Sequence, residues 1–174
     1  MVCCDIWPFF DGPLDKEVWN MPFQAHLKVC FSDIDNAGIV YYPRFVHYFH
    51  VALEDFFSME LGVNYSMLLQ KHRIGFPTVH LETDFRRKLR YGDHLIVEVR
   101  VLKLGNTSIT WGYKVYRAQE PGLVVTEGQN TTVCMNIDTY EKRELPSWLR
   151  ILLENYQEKC DLLEKAAEDP YAKV

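Results

Sequence analysis

The chain has no surplus of basic residues: 19 Lys and Arg stand against 24 Asp and Glu, giving a net charge of −5. Without a global positive field nothing draws it to a phosphate backbone, so nucleic acid is not an expected partner. Cysteine is sparse and poorly spaced for metal. The five, Cys3, Cys4, Cys30, Cys134 and Cys160, form no CxxC pair and have no histidine at zinc-like spacing. Reduced thiols in a cytoplasmic protein are the expectation. No apolar run reaches the roughly 18 residues that suggest a membrane span. The opening MVCCDIWPFFDGPLDKEVWN lacks a basic stretch followed by an apolar core and a small-residue cleavage site, so no secretory signal is expected. Also missing are internal repeats, a Gly-rich phosphate loop, a GxSxG elbow and a Cys–His arrangement for acyl transfer.

What is present is an ordinary globular composition, 48% hydrophobic and 25% charged, over 174 residues. That fits one domain. Residues 1–22 contain Pro8, Gly12 and Pro13 among scattered aromatics without a period, and read as an arm or tail that packs on something, such as a second subunit. The domain is expected over 23–165, with a C-terminal tail over 166–174.

From Phe23 the pattern becomes regular. FQAHLKVCF suits a strand and SDIDNAG suits a turn. PRFVHYFHVALEDFF follows, with Pro43 at a position that suits the first turn of a helix. Its apolar residues cover nearly all sides, which predicts an enclosed helix. A short helix is expected near Tyr65–His72 and a strand over Thr78–Lys88. Leu95 to Val101, Thr107 to Val115 and Val125 to Ile137 alternate with period two, the last with Val125, Glu127, Gln129, Thr131, Val133, Met135 and Ile137 on one face. Turns at Tyr91-Gly92-Asp93, Gly105-Asn106 and Pro121-Gly122 make the strands antiparallel neighbours. A closing amphipathic helix follows Pro146. The sum is α+β, an antiparallel sheet of about five strands wrapped around one long central helix.

Chemistry concentrates in FSDIDNAGIVYYPRFVHYFHVALEDFF, residues 31–57. It sets Asp33 and Asp35 in a turn before a helix N-terminus, whose unpaired N–H groups and partial positive charge stabilise a developing oxyanion. A carboxylate beside such a site can attack a carbonyl or activate water. Equally, the two acids can simply cap the turn and helix.

This segment resembles the signature F-x-D-x-D-x-x-G-h-V-Y/W-Y/H of the 4-hydroxybenzoyl-CoA thioesterase family of hot-dog proteins. It is met here by Phe31, Asp33, Asp35, Gly38, Val40, Tyr41 and Tyr42. The likeness continues through Gly75 and Pro77, Tyr91-Gly92-Asp93, Asp138 and Pro146, and covers roughly residues 23–153. It implies a hot-dog fold and a thioesterase that hydrolyses an acyl-CoA, aromatic or short to medium in its acyl group. It also implies a homo-oligomer, dimer or tetramer, and no cofactor beyond the coenzyme A of the substrate. Asp35 would be the catalytic aspartate, nucleophile or general base. The Tyr42 backbone N–H would polarise the thioester carbonyl, and Asp33 would hold the loop. Gly75 and Pro77 fall in the substrate-binding part of the pattern. The chain departs from the family at His50 and Leu53, where relatives often carry an acid and an arginine; the acyl pocket lies along that helix, so the departure bears on the substrate.

Several other residues compete for a role. His47, His50 and Glu54 share a helix face, but metal pairs favour i, i+4 spacing, so a local His50–Glu54 pair is expected and no metal site. His50 remains a substrate contact, and Glu54 is the alternative catalytic group, because some hot-dog thioesterases use a helix glutamate. Arg86, Arg87 and Lys88, with Arg90, are either a solvated strand end or a grip on coenzyme A phosphates. Lys103, Asn106 and Ser108 match positions that contact the nucleotide in relatives. Two rivals share the fold: a thioesterase acting on an acyl carrier protein, and an acyl-CoA-binding module without turnover.

Overall fold

The computed structural model describes residues 21–168. The expected N-terminal arm, apart from its last two residues, and positions 169–174 of the expected tail lie outside the described residues. The helix that ends the domain runs on to Glu168, three residues past the expected boundary.

Five strands form one antiparallel sheet in the order β1-β4-β5-β6-β3: β1 Gln24–Lys28, β3 Thr78–Phe85, β4 His94–Leu104, β5 Ser108–Arg117 and β6 Glu120–Val133. A two-strand ribbon joins β2 Ile74–Gly75 to β7 Met135–Asn136. Helix α1, Pro43–Asp55, lies against the sheet and runs into a wider π turn over Phe56–Glu60; α2 is Tyr65–Gln70 and α3 is Ser147–Glu168. This is the α+β wrap of helix by sheet that the sequence predicts.

Alternation decides which side chains meet α1. On β5, Ile109, Trp111, Tyr113 and Val115 are buried, and Phe45, Phe49, Ala52 and Leu53 of α1 are buried with them in one core. Phe49 stacks on Tyr113 with centroids 4.5 Å apart and planes 9° apart, while Phe56 meets Trp111 and Tyr156 edge-on at 5.7 and 4.7 Å.

Three expectations need correction. The enclosed helix is enclosed on one side only: His47, His50 and Glu54 are exposed. The reason is that β3, the strand that would finish the wrap, is the sheet's edge, with Val79, Leu81 and Phe85 exposed. On β6 the residues paired with the core face of β5 are Thr132, Asn130, Gly128 and Thr126, so the strand turns its polar side inward. Glu127, Gln129, Thr131 and Val133 share the opposite face as expected, but the strand ends at Val133, and Met135 belongs to β7 instead of continuing it to Ile137. Finally, the β5–β6 turn is at Ala118-Gln119, not Pro121-Gly122. Pro121 has no N–H for the ladder, and the pairing jumps from Arg117↔Glu120 to Tyr116↔Val124 across an extruded Pro121-Gly122-Leu123.

At the opposite edge, β1 covers only the first half of β4, ending at Gln24↔Glu98. Beyond it α3 takes over. Tyr156 Oη donates to the Val99 carbonyl and accepts the Phe23 N–H at 2.9 Å, and Arg150 reaches the Gly105 carbonyl at 2.7 Å.

Candidate active site

The segment between β1 and α1 is held from below. Val29 N–H donates to Asp93 O at 2.9 Å, and one 3-10 turn, Phe31–Asp33, follows. Asp33 is buried; its Oδ2 accepts the Cys30 N–H and the Tyr48 hydroxyl, both at 2.8 Å, and Arg44 Nε lies 3.5 Å from its Oδ1. Burial, together with the bond to Asp33, pushes the Tyr48 phenol well above its ordinary range. The Asp33 carbonyl also accepts the Tyr41 N–H at 2.9 Å. Asp33 therefore ties the turn to the helix, the role the resemblance implies for it. Its partners Tyr48 and Arg44 were not legible as site residues.

Asp35 has a different setting. A bridge between Ile34 and Val40 pinches off a small loop, closed by Asp35 N–H to Ile39 O and Gly38 N–H to Asp35 O, each 3.0 Å. Gly38 sits at φ +73°, a conformation that penalises any side chain. Asp35 Oδ1 accepts the Ala37 N–H at 2.8 Å; Oδ2 has no hydrogen bond among the described residues. Six residues on from Asp35, Tyr41 enters the helix start, and Arg44 N–H and Phe45 N–H return to the carbonyls of Tyr41 and Tyr42 at 2.8 and 3.1 Å. Pro43 occupies the first helical position. The Tyr42 N–H donates to no acceptor among the described residues, and its ring is 63% exposed beside Phe85. A carboxylate with a free oxygen and a helix start with a free N–H thus belong to one short segment.

The basic run is stitched to that segment. Val40 N–H donates to Leu89 O at 3.0 Å, and the Phe31 and Tyr91 rings meet edge-on at 6.0 Å. Arg86 is engaged with Glu127, while Arg87 and Lys88 are exposed and form no ion pair among the described residues. By contrast, Lys103, Asn106 and Ser108 are at the far end of β4, roughly 30 Å away at ordinary strand rise. One chain cannot bring both groups to one phosphate.

His50 Nε2 and Glu54 Oε1 are 3.0 Å apart, the local pair the spacing predicts. His50 also lines a cavity of about 170 Å³ between α1 and the sheet, walled by Phe49, Leu53, Tyr65 and Phe76 and floored by Tyr113, Asn130 and Thr132. Glu54 does not line it. Gly75 and Pro77 flank Phe76 without lining the cavity. A Cβ on Gly75 would meet Ile137 Cγ2 at 2.6 Å, so Gly75 serves β2–β7 packing, and the Pro77 carbonyl accepts the Val133 N–H at 3.1 Å. Tyr113, Asn130 and Thr78 were missed as site residues. No sequence signal singled them out, because β6 carries polar residues on both faces and only its pairing with β5 shows which face is inward.

Residues 29–153 match the family described as the thioesterase-like superfamily. A 1,4-dihydroxy-2-naphthoyl-CoA hydrolase of Nostoc punctiforme is 29% identical over 146 residues, covering 83% of this chain and 95% of its own. The corresponding hydrolase of Synechococcus elongatus is 28% identical over 134 residues, covering 74% and 96%. Among solved structures, a gentisyl-coenzyme A thioesterase is 30% identical at a TM-score of 0.67, covering 74% of this chain and 99% of its own. A thioesterase superfamily protein from Jannaschia sp. CCS1 is 25% identical at a TM-score of 0.71, covering 77% and 92%.

Proposed function

The chain belongs to the thioesterase-like superfamily, and from that membership we propose that it is a hot-dog thioesterase hydrolysing an acyl-CoA to the free acid and coenzyme A. The observation that carries the reading is the free Oδ2 of Asp35 on a loop that leads directly into the helix start at Tyr42. With the thioester carbonyl oxygen on the Tyr42 N–H, negative charge that develops there meets a donor already oriented by α1; losing one such donor typically costs about 3–4 kcal/mol of barrier. Asp35 either takes a proton from water, whose oxygen bonds to the carbonyl carbon, or attacks that carbon itself to give an anhydride that water opens. In both routes the C–S bond breaks and the thiolate leaves as coenzyme A after protonation. Water and a carboxylate suffice, so no cofactor is required.

Arg87 and Lys88, exposed and fixed beside the loop through Leu89, are suited to the coenzyme A phosphates; Arg86 is less so, because Glu127 holds it. The cavity walls of Phe49, Tyr65 and Phe76 favour an aromatic acyl group, as do the naphthoyl and gentisyl substrates in the relatives' names. Glu54 stands outside the cavity and is the weaker catalytic candidate. The open edge of β3, with its exposed Val79, Leu81 and Phe85, supports a second copy pairing there, in a dimer or a tetramer built from dimers. A cytoplasmic setting suits a coenzyme A substrate and the reduced thiols of Cys134 and Cys160. Among the described residues no helix is long and apolar enough to cross a membrane.

The test is free-thiol release from aromatic, short and long acyl-CoAs, with an acyl-carrier-protein thioester alongside. Turnover of an aromatic acyl-CoA supports the reading. Turnover of the carrier-protein thioester alone would replace coenzyme A as the thiol carrier, and no release from any of them would favour a binding module.

A further inference from the structure

The cavity beneath α1 is apolar on its walls and polar on one side, and the polar groups are not equally available. Thr132 Oγ1 accepts the Trp111 indole N–H at 3.0 Å and donates to Ile109 O at 3.5 Å, so it is spent. His50 Nε2 is held by Glu54. Tyr113, Asn130 and Thr78 instead form an open chain. The Tyr113 hydroxyl donates to Asn130 Oδ1 at 3.1 Å and Asn130 Nδ2 donates to Thr78 Oγ1 at 3.0 Å, with no further bond from the Tyr113 oxygen or the Thr78 hydroxyl among the described residues. Run in either direction, such a chain ends in one free donor and one free acceptor.

The backbone is shaped to make this chain. Thr78 and Leu81 are three apart on β3 and in a regular strand would face opposite sides. The register of β3 against β6 shifts between Thr78 and His80, and this bulge turns both side chains to the cavity. Tyr113 is clamped against Phe49 at 4.5 Å, and burial raises its phenol so that it stays protonated.

We propose that Tyr113, Asn130 and Thr78 are specificity-determining residues that recognise a hydroxyl on the aromatic ring of the acyl group. A hydroxyl is donor and acceptor at once, so it satisfies both ends of the chain, and an unsubstituted ring satisfies neither. Sites built to hydrogen-bond a substrate hydroxyl reject the analogue that lacks it, because the site's own polar groups are then left unpaired. This inference rests on the acyl-CoA thioesterase reading, with the ring seated between Phe49 and Phe76.

The experiment compares kcat/KM for benzoyl-CoA, 4-hydroxybenzoyl-CoA and 2,5-dihydroxybenzoyl-CoA in wild type, Thr78→Val and Asn130→Leu. In wild type a hydroxylated ester is preferred, and in both variants the ratio of hydroxylated to plain ester falls about tenfold or more. Thr78→Val is on the exposed edge strand and keeps its shape, so it reports even if Asn130→Leu folds poorly. An unchanged ratio in folded Thr78→Val, or no preference in wild type, overturns the proposal while leaving the thioesterase reading intact. Should wild type hydrolyse none of the esters, thermal shift with 2,5-dihydroxybenzoate against benzoate decides. A preference lost in Thr78→Val upholds the recognition site without the enzyme, and no preference removes both.

Discussion

Asp33 and Asp35 are two residues apart in one loop, yet their surroundings are opposites. Around Asp33 the chain closes in: a backbone N–H, the Tyr48 hydroxyl and Arg44 all converge on one buried carboxylate. Around Asp35 it opens: one oxygen takes the Ala37 N–H and the other meets no donor among the described residues. A carboxylate that is buried, with two hydrogen bonds on one oxygen and a guanidinium beside the other, serves as an anchor, whereas one held by a single hydrogen bond is oriented and still open to a reacting group. On the proposed role of Asp35, the first carboxylate supplies the rigidity that the second needs, since a displaced general base or nucleophile loses rate steeply.

The contrast can be broken from either side. Asp35→Asn should give the largest effect, a drop in turnover of about 10²–10⁴-fold with an almost unchanged melting temperature; thiol-release kinetics beside calorimetry would show it. A variant as active as wild type would end the case for Asp35 and send attention to Glu54. Asp33→Asn should reverse the pattern and cost about 2–4 kcal/mol of folding free energy, because it weakens acceptors for the Tyr48 hydroxyl and leaves Arg44 without its charge partner. Urea titration measures this, and a loss no larger than that of Asp35→Asn would erase the distinction. Tyr48→Phe removes one bond from the same cluster and should cost about 1–2 kcal/mol, with turnover reduced and KM nearly constant. The smallest change is expected from Arg87→Glu at the loop's outer rim. There KM should rise about three- to tenfold with turnover spared, and the difference should shrink as salt screens the exposed charge; KM constant across ionic strength would remove Arg87 from the phosphate site.

The strand order of events, the helix behind Pro43 and the acid-rich turn could be read from period and composition because each depends on local chain chemistry. Asp33 as an anchor and the His50–Glu54 pair also followed from short spacings. What the sequence concealed depends on long-range pairing. Arg86 looks as free as Arg87 until β3 is laid against β6 and Glu127 comes beside it. Thr78 is an ordinary strand residue until a bulge turns it, and the alternation of β6 gives two faces without saying which is inward. Lys103 and Arg87 could share a phosphate on paper, and only the length of β4 separates them. The apolar girth of α1 predicted full enclosure, but one chain supplies cover for one side.

The Tyr156 hydroxyl receives the Phe23 N–H and donates to Val99 O, so a single oxygen joins the start of β1, the middle of β4 and the final helix. Its consequence is one of timing. During synthesis the sheet can assemble from β1 to β6 while the second half of β4's outer edge waits, bare, for a helix that begins at Ser147. Until that helix leaves the ribosome, the nascent chain carries an unprotected strand edge of the kind that recruits neighbours. Chaperone contact, or aggregation without it, should therefore concentrate on released chains truncated before residue 156, and restoring the rest of α3 should end that exposure in one step.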